Sequence, residues 1–162
     1  MIRIGILTSS DKGAAGERED KSAQEIRKLL RALPESQVVN YQVVPDERKI
    51  IEETLRYWAD QDHLDLIITT GGTGLSPRDV TPEATSAVIE RVVPGIAEAM
   101  REEGRKNNPR AMLSRGMSGT RGKTLIINLP GSPRAVRESL EVVLPVIGHA
   151  IDILQARPTD HG

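Results

Sequence analysis

Cysteine is absent from the 162 residues, which excludes a disulfide, a thiolate nucleophile and a Cys-ligated metal. Phenylalanine is absent too, and the aromatics are one tryptophan and two tyrosines, so a core must be built from Ile, Leu, Val and Ala. Neither sign of charge dominates: 22 Lys and Arg stand against 23 Asp and Glu, for a formal net charge of −1. That balance argues against a broad basic face for nucleic acid, while leaving room for a local anion site. No apolar run approaches the roughly 20 residues needed to span a bilayer. Met1 opens directly into IRIGIL, with no basic n-region or cleavage site. The expectation is a soluble cytoplasmic protein with neither a membrane nor a nucleic-acid partner. His63, His149 and His161 are scattered at no metal-ligand spacing, and His149, inside an expected helix, reads as structural or solvated rather than as a ligand.

What is present alternates between short apolar runs and helical stripes. Ile2 to Leu7, Val38 to Val44, Leu64 to Thr70 and Thr124 to Leu129 read as strands. A helix is expected after Asp20, with Ile26, Leu29, Leu30 and Leu33 on one stripe and Pro34 ending it. A second carries Ile50, Ile51, Thr54, Leu55 and Trp58. Thr81 reads as an N-cap with Pro82 at the first helical position. That helix is expected to run through Val88, Ile89 and Val92, with Pro94 kinking or restarting it before Ile96, Ala97 and Met100. A last helix, capped by Ser132 and Pro133, presents Val136, Leu140, Val143, Leu144 and Ile147. The pattern implies one α/β domain over residues 1–157: a three-layer αβα fold on a mostly parallel sheet, with a flexible tail at 158–162.

Ligands of such sheets bind at the carboxyl ends of the strands. That rule nominates the loops Thr8 to Asp11, Pro45 to Glu47, Gly71 to Asp79 and Pro130 to Ser132, all rich in Gly, Ser, Thr or Asp. GGTGLSPRD (Gly71 to Asp79) can admit an anion to backbone N–H groups, although it lacks the ending of a P-loop. Read alone it can also be a plain strand–helix turn, and PGSP (Pro130 to Pro133) is a second turn of this type. Asp46 and Asp79 follow strands in two of these loops and suit a hard cation such as Mg²⁺, or a plain turn. Arg115 and Arg121, in SRGMSGTRG (Ser114 to Gly122), can clamp phosphate or lie in an exposed loop.

TTGGTGLSPRDVTPEAT (Thr69 to Thr85) and AMLSRGMSGTRGKTLIINLPGSP (Ala111 to Pro133) resemble the two signature blocks of the MogA/MoaB and gephyrin G-domain family of molybdenum-cofactor proteins. VVPDE (Val43 to Glu47) and the opening IGILTSSDKG extend the resemblance over essentially the whole chain. One departure is Ala23, where the family pattern carries Gly after Ser22. The resemblance implies a homotrimer that binds molybdopterin, ATP and Mg²⁺ and transfers AMP from ATP to the molybdopterin phosphate, releasing pyrophosphate. A catalytically idle binding or scaffold protein is the alternative within the family, and a molybdotransferase is the implied downstream partner. By position, Asp46 and Asp79 match the two functional aspartates and metal ligands. Gly71, Gly72 and Gly74 match the nucleotide turn, and Thr73 and Ser114 match substrate-handling hydroxyls. Arg115, Arg121, Gly131 and Ser132 match phosphate or pterin contacts. A second hint of assembly lies in the broad apolar stripe of Thr81 to Met100, which carries Ala84, Val88, Ile89, Val92, Val93, Ile96, Ala97 and Met100.

Overall fold

A computed structural model describes residues 1–157; the expected tail lies outside the described residues. In chain order the elements are β1 (Ile2–Ser9), α1 (Asp11–Ala14), α2 (Lys21–Leu30), β2 (Ser36–Val44), α3 (Arg48–Asp60), β3 (Leu66–Thr70) and α4 (Thr81–Val88). They continue with β4 (Arg91–Val92), α5 (Pro94–Asn107), a 3-10 turn (Pro109–Leu113), β5 (Ser118–Arg121), β6 (Thr124–Leu129) and α6 (Pro133–Leu154). The six strands form one sheet in the order β2-β1-β3-β6-β5-β4. The first four run parallel, and β5 and β4 complete one edge antiparallel.

Period-two alternation divides the aliphatic residues between two cores. Ile4, Ile6, Leu66, Ile68, Leu125, Ile127 and Leu129 belong to the core shared with α2, α5 and α6. Leu7, Ile67 and Ile126 belong to the other, beneath α3 and α4. Gly5 is needed on that second face because a Cβ there would sit 2.7 Å from both Trp58 and Leu64. The lone tryptophan can therefore lie against the sheet.

Two features differ from the sequence reading. The helix from Thr81 ends at Val88 instead of running through Val92, and of the two outcomes expected at Pro94 the restart is the one found. Ile89 turns extended (φ −70°, ψ 148°), Glu90 and Val93 donate N–H bonds to Thr120 and Ser118, and Arg91–Val92 becomes the edge strand β4. β-branched Val92 and Val93 before Pro94 favour this extended backbone. Ala84 and Val88 consequently face one core and Ile96, Ala97 and Met100 the other. Most of the stripe is thus absorbed within the chain, with Val92 left exposed on the edge strand. The strand β5 was also not foreseen: SGTR has no apolar residue, and it is recruited by pairing with β6 through the two-residue turn Gly122–Lys123.

Thr81 is the first residue of α4, Val80 is its N-cap and no side chain caps it. Its N–H is committed to the Gly72 carbonyl at 3.1 Å, which turns the side chain inward against Gly72. Thr81 is fully buried, and its Oγ1 is the one buried side-chain polar atom among the described residues that lacks a partner. An unsatisfied buried hydroxyl costs about 1–3 kcal/mol. Thr81→Val should therefore melt at or above the wild-type temperature by calorimetry. A fall of about 4 °C, roughly 1 kcal/mol or more in a chain of this size, would reveal a partner for the hydroxyl.

Candidate active site

The four nominated loops meet at the carboxyl edge of the parallel strands and line one cavity, and two of them, Gly71 to Asp79 and Pro130 to Ser132, also line a second with α5, the 3-10 turn and α6. The larger, about 820 Å³, is walled by Ser9, Asp20, Asp46, Gly71 and Ser132 among others. The smaller, about 420 Å³, is walled by Thr73, Gly74, Met100, Ser114, Asn128 and Glu138 among others. Gly72, Asp79 and Gly131 line both, so the cavities adjoin along this seam.

Asp46 is held from two sides. Its Oδ1 accepts from Ser9 Oγ at 2.6 Å, and its Oδ2 accepts from the Asp11 N–H at 3.0 Å. The Asp46 N–H in turn donates to Asp11 Oδ1 at 2.9 Å. Arg78 grips that Asp11 carboxylate with two bonds, 3.0 and 2.8 Å, linking the loop after β1 to the loop after β3. The Arg78 guanidinium, more than the Asp46 N–H, holds the Asp11 carboxyl below its ordinary range against a smaller opposing effect of desolvation. Asp79 closes a turn back onto Ser76: its Oδ2 accepts from the Ser76 N–H at 3.0 Å and its own N–H donates to the Ser76 carbonyl at 2.9 Å, and Oδ1 has no hydrogen-bond partner among the described residues.

The glycine turn also has its bonding divided. Gly71 (φ 89°) spends its N–H on the Leu129 carbonyl at 3.2 Å. The N–H groups of Gly72, Thr73 and Gly74 have no partner among the described residues, so they are the donors left for a ligand. Across the larger cavity α2 and α6 begin side by side. Ser132 Oγ caps α6 by accepting from Ala135 N–H at 3.2 Å, and Ser22 donates to the Gly131 carbonyl at 2.5 Å. Two helix N-termini thus face one cavity, a favourable field for phosphate.

Asp20 was missed as a site residue in the sequence reading. It caps α2 through Ala23 N–H at 3.0 Å and accepts at 2.5 Å from both Thr8 and Tyr41 hydroxyls. Burial first, and the Asp20 carboxylate second, push the Tyr41 phenol up to about 12. Asn128, on the wall of the smaller cavity, was missed as well, as were Asp11 and Arg78, which line neither cavity but brace Asp46. Asn128 is buried and donates to Thr69 and Thr85 hydroxyls at 3.0 and 2.9 Å. A polar residue inside the apolar run TLIINL was the available signal. For Asp11 and Asp20 the signal was weak, because polar residues after a strand are common turn formers.

Two predicted contacts lie elsewhere. Arg121 pairs in register with Thr124, the first residue of β6, and so sits at the opposite, amino end of that strand. It binds Asp60 twice, at 2.9 and 2.8 Å, and the Val88 carbonyl at 2.9 Å. It lines neither cavity, and its guanidinium holds the Asp60 carboxyl below its usual range. Arg115 lines neither cavity either: its donors are turned into the protein, toward Gly74, Asp79 and Glu83.

Residues 5–149 match the family model described as a probable molybdopterin binding domain. The chain belongs to this family. A molybdopterin adenylyltransferase of Helicobacter pylori J99 is 44% identical over 154 residues, covering 94% of this chain and 88% of that protein. Gephyrin of Dictyostelium discoideum is 44% identical over 164 residues, covering 96% of this chain but only 23% of gephyrin. The crystal structure of the molybdopterin biosynthesis enzyme MoaB from Thermus thermophilus superposes with a TM-score of 0.91 at 55% identity, covering 98% of this chain and 99% of that one. Molybdopterin-domain proteins of this type therefore share the αβα sheet and its loop edge with the present chain.

Proposed function

We infer that this chain is a molybdopterin adenylyltransferase of molybdenum-cofactor biosynthesis. The observation that carries the reading is the pair of adjoining cavities with Gly72, Asp79 and Gly131 on their common wall. Two reactants held one in each cavity would bring their phosphates to that seam. An oxygen of the molybdopterin phosphate attacks the α-phosphorus of ATP, the bond to the β-phosphate oxygen breaks, and pyrophosphate leaves with the electron pair. The attacking phosphate is already ionised at neutral pH, so no general base is required. What the protein must supply is alignment and dispersal of negative charge.

The donor set suits Mg²⁺. Asp46 and Asp79 both line the larger cavity, and the described residues contain no group of three or more His, Cys, Asp or Glu that could cage a metal. Mg²⁺ commonly takes one or two carboxylates and completes its shell with phosphate oxygens and water. Asp46 and Asp79 would hold it, and when bound it would neutralise charge on the phosphates. Ser9 and the Asp11 N–H orient the first carboxylate, and the Ser76 turn orients the second. The free N–H groups of Gly72 to Gly74 and the starts of α2 and α6 are the chain's own anion donors, with Thr73, Ser114, Gly131 and Ser132 around them.

The test is an adenylylation assay with molybdopterin, ATP and Mg²⁺. Pyrophosphate release dependent on molybdopterin is expected; molybdopterin binding without pyrophosphate would move the protein to the idle scaffold reading. The cytoplasm is the proposed compartment and a molybdotransferase the proposed recipient of the product. No described helix is long and apolar enough to cross a membrane. The proposed assembly is a homotrimer, resting on the family resemblance. Light scattering at micromolar concentration should give three times the 17.7 kDa chain mass, and a mass equal to one chain would refute it.

A further inference from the structure

Arg115 is half-buried and touches both ends of the loop that carries Asp79. Its Nε donates to the Gly74 carbonyl at 2.8 Å, and its Nη2 donates to the Asp79 carbonyl at 2.8 Å. Nη1 lies 2.8 Å from each oxygen of Glu83, in the first turn of α4. The Arg115 N–H also donates to the Thr73 carbonyl at 2.8 Å. The segment Gly74–Asp79 thus leaves and rejoins the cavity wall at two carbonyls that meet one guanidinium. Leu75 is 65% exposed, and the loop's other ties are the Ser76–Asp79 turn and the exposed, two-bonded Arg78–Asp11 pair, both away from the Gly74 end. A planar, rigid fork sets the separation of two carbonyls in a way a single flexible ammonium cannot.

We propose that Arg115 is a positioning residue that cinches Gly74–Asp79 and thereby holds the Asp79 carboxylate at the seam between the cavities, with Glu83 holding Arg115 in turn. The proposal rests on Asp79 being catalytic, as inferred above. It replaces the substrate contact that the resemblance implied for Arg115.

The experiment is a double-mutant cycle of Arg115→Gln with Asp79→Asn, read by steady-state kinetics and by amide hydrogen exchange of the ligand-free proteins. Arg115→Gln should lower kcat on the order of 10²-fold, the scale of a displaced catalytic group, with KM for ATP nearly unchanged. Exchange should rise in the peptide spanning 74–79 and stay at wild type in β1, β3 and β6. Arg115→Lys should recover little, and the double variant should be no slower than Asp79→Asn alone. Should Arg115→Gln fail to fold, Glu83→Gln serves in its place, with the same pattern at smaller amplitude. A raised KM with unchanged kcat and unchanged loop exchange would make Arg115 a substrate contact and overturn the proposal. Additive effects in the cycle, with Asp79→Asn itself impaired, would overturn it while leaving the adenylyltransferase reading intact. Wild-type turnover in Asp79→Asn would overturn both the catalytic role of Asp79 and the proposal built on it.

Discussion

Asp79→Asn is expected to keep the fold and the melting temperature while slowing adenylyl transfer by at least about 10²-fold, the scale of one lost electrostatic element in a charged transition state. The substitution is isosteric. Asn can still accept the Ser76 N–H through its amide oxygen and so preserve the turn that Asp79 Oδ2 now closes at 3.0 Å. What disappears is the negative charge at a half-buried position on the wall common to both cavities. Asp46 is a less clean target. Its two oxygens accept from Ser9 and from the Asp11 N–H, so an Asn there keeps both contacts only with its oxygen on Asp11 and the Ser9 hydroxyl reversed into an acceptor. Loss of activity in Asp46→Asn would therefore mix lost charge with a rearranged hydrogen-bond pair. Pyrophosphate release at saturating substrates, with a calorimetric melt beside it, decides for Asp79. Wild-type turnover would remove Asp79 from the chemistry, and a collapsed melt would make it structural.

The parallel part of the sheet was legible because buried parallel strands are short, β-branched and apolar on both faces; LIITT and TLIINL need no tertiary context to be recognised. The two antiparallel strands were not, because SGTR and a two-residue Arg91–Val92 strand have no such pattern: β5 exists only through β6, and β4 only through β5. Local chemistry also misplaced Thr81. Thr before Pro is a good N-cap signal, but the loop requires the Thr81 N–H for Gly72, and this draws Thr81 into the helix. At the site, the loops could be named because strand order alone directs them to one edge. The roles of the arginines could not. Arg115 and Arg121 sit in equally plausible Gly/Ser contexts, yet Arg115 lies before β5, bonded to Thr73 in the loop after β3, while Arg121 ends β5 opposite Thr124 at the amino end of β6. Only tertiary pairing distinguishes them.

Gly72→Val should weaken ATP binding by at least about tenfold, roughly 1.4 kcal/mol, in a protein that still folds. Gly72 has φ 69°, a conformation in which a β-branched residue is a true outlier, at a cost of order 1–3 kcal/mol. Its new Cβ would stand 2.4 Å from Thr81 Oγ1, 3.3 Å from Ser9 Oγ and 3.4 Å from Asp46 Oδ1. Thr81 is fully buried at the start of α4 and cannot retreat, so the turn must move, carrying the Gly72 and Thr73 N–H groups with it. Neighbouring glycines grade the effect. A Cβ at Gly74 would come within 2.9 Å of Asp79 Oδ2, the end of a side chain that can rotate, so Gly74→Ala should impair turnover more than binding. At Gly131 the nearest atom would be Gly71 Cα at 3.4 Å, an ordinary contact, and Gly131→Ala should bind ATP nearly as the wild type does. Titration calorimetry of the three folded variants should therefore rank their ATP affinities with Gly72→Val lowest and Gly131→Ala highest. Wild-type affinity in Gly72→Val would mean that the turn shapes the loop without meeting the nucleotide, and the anion donors would then have to be sought at the starts of α2 and α6.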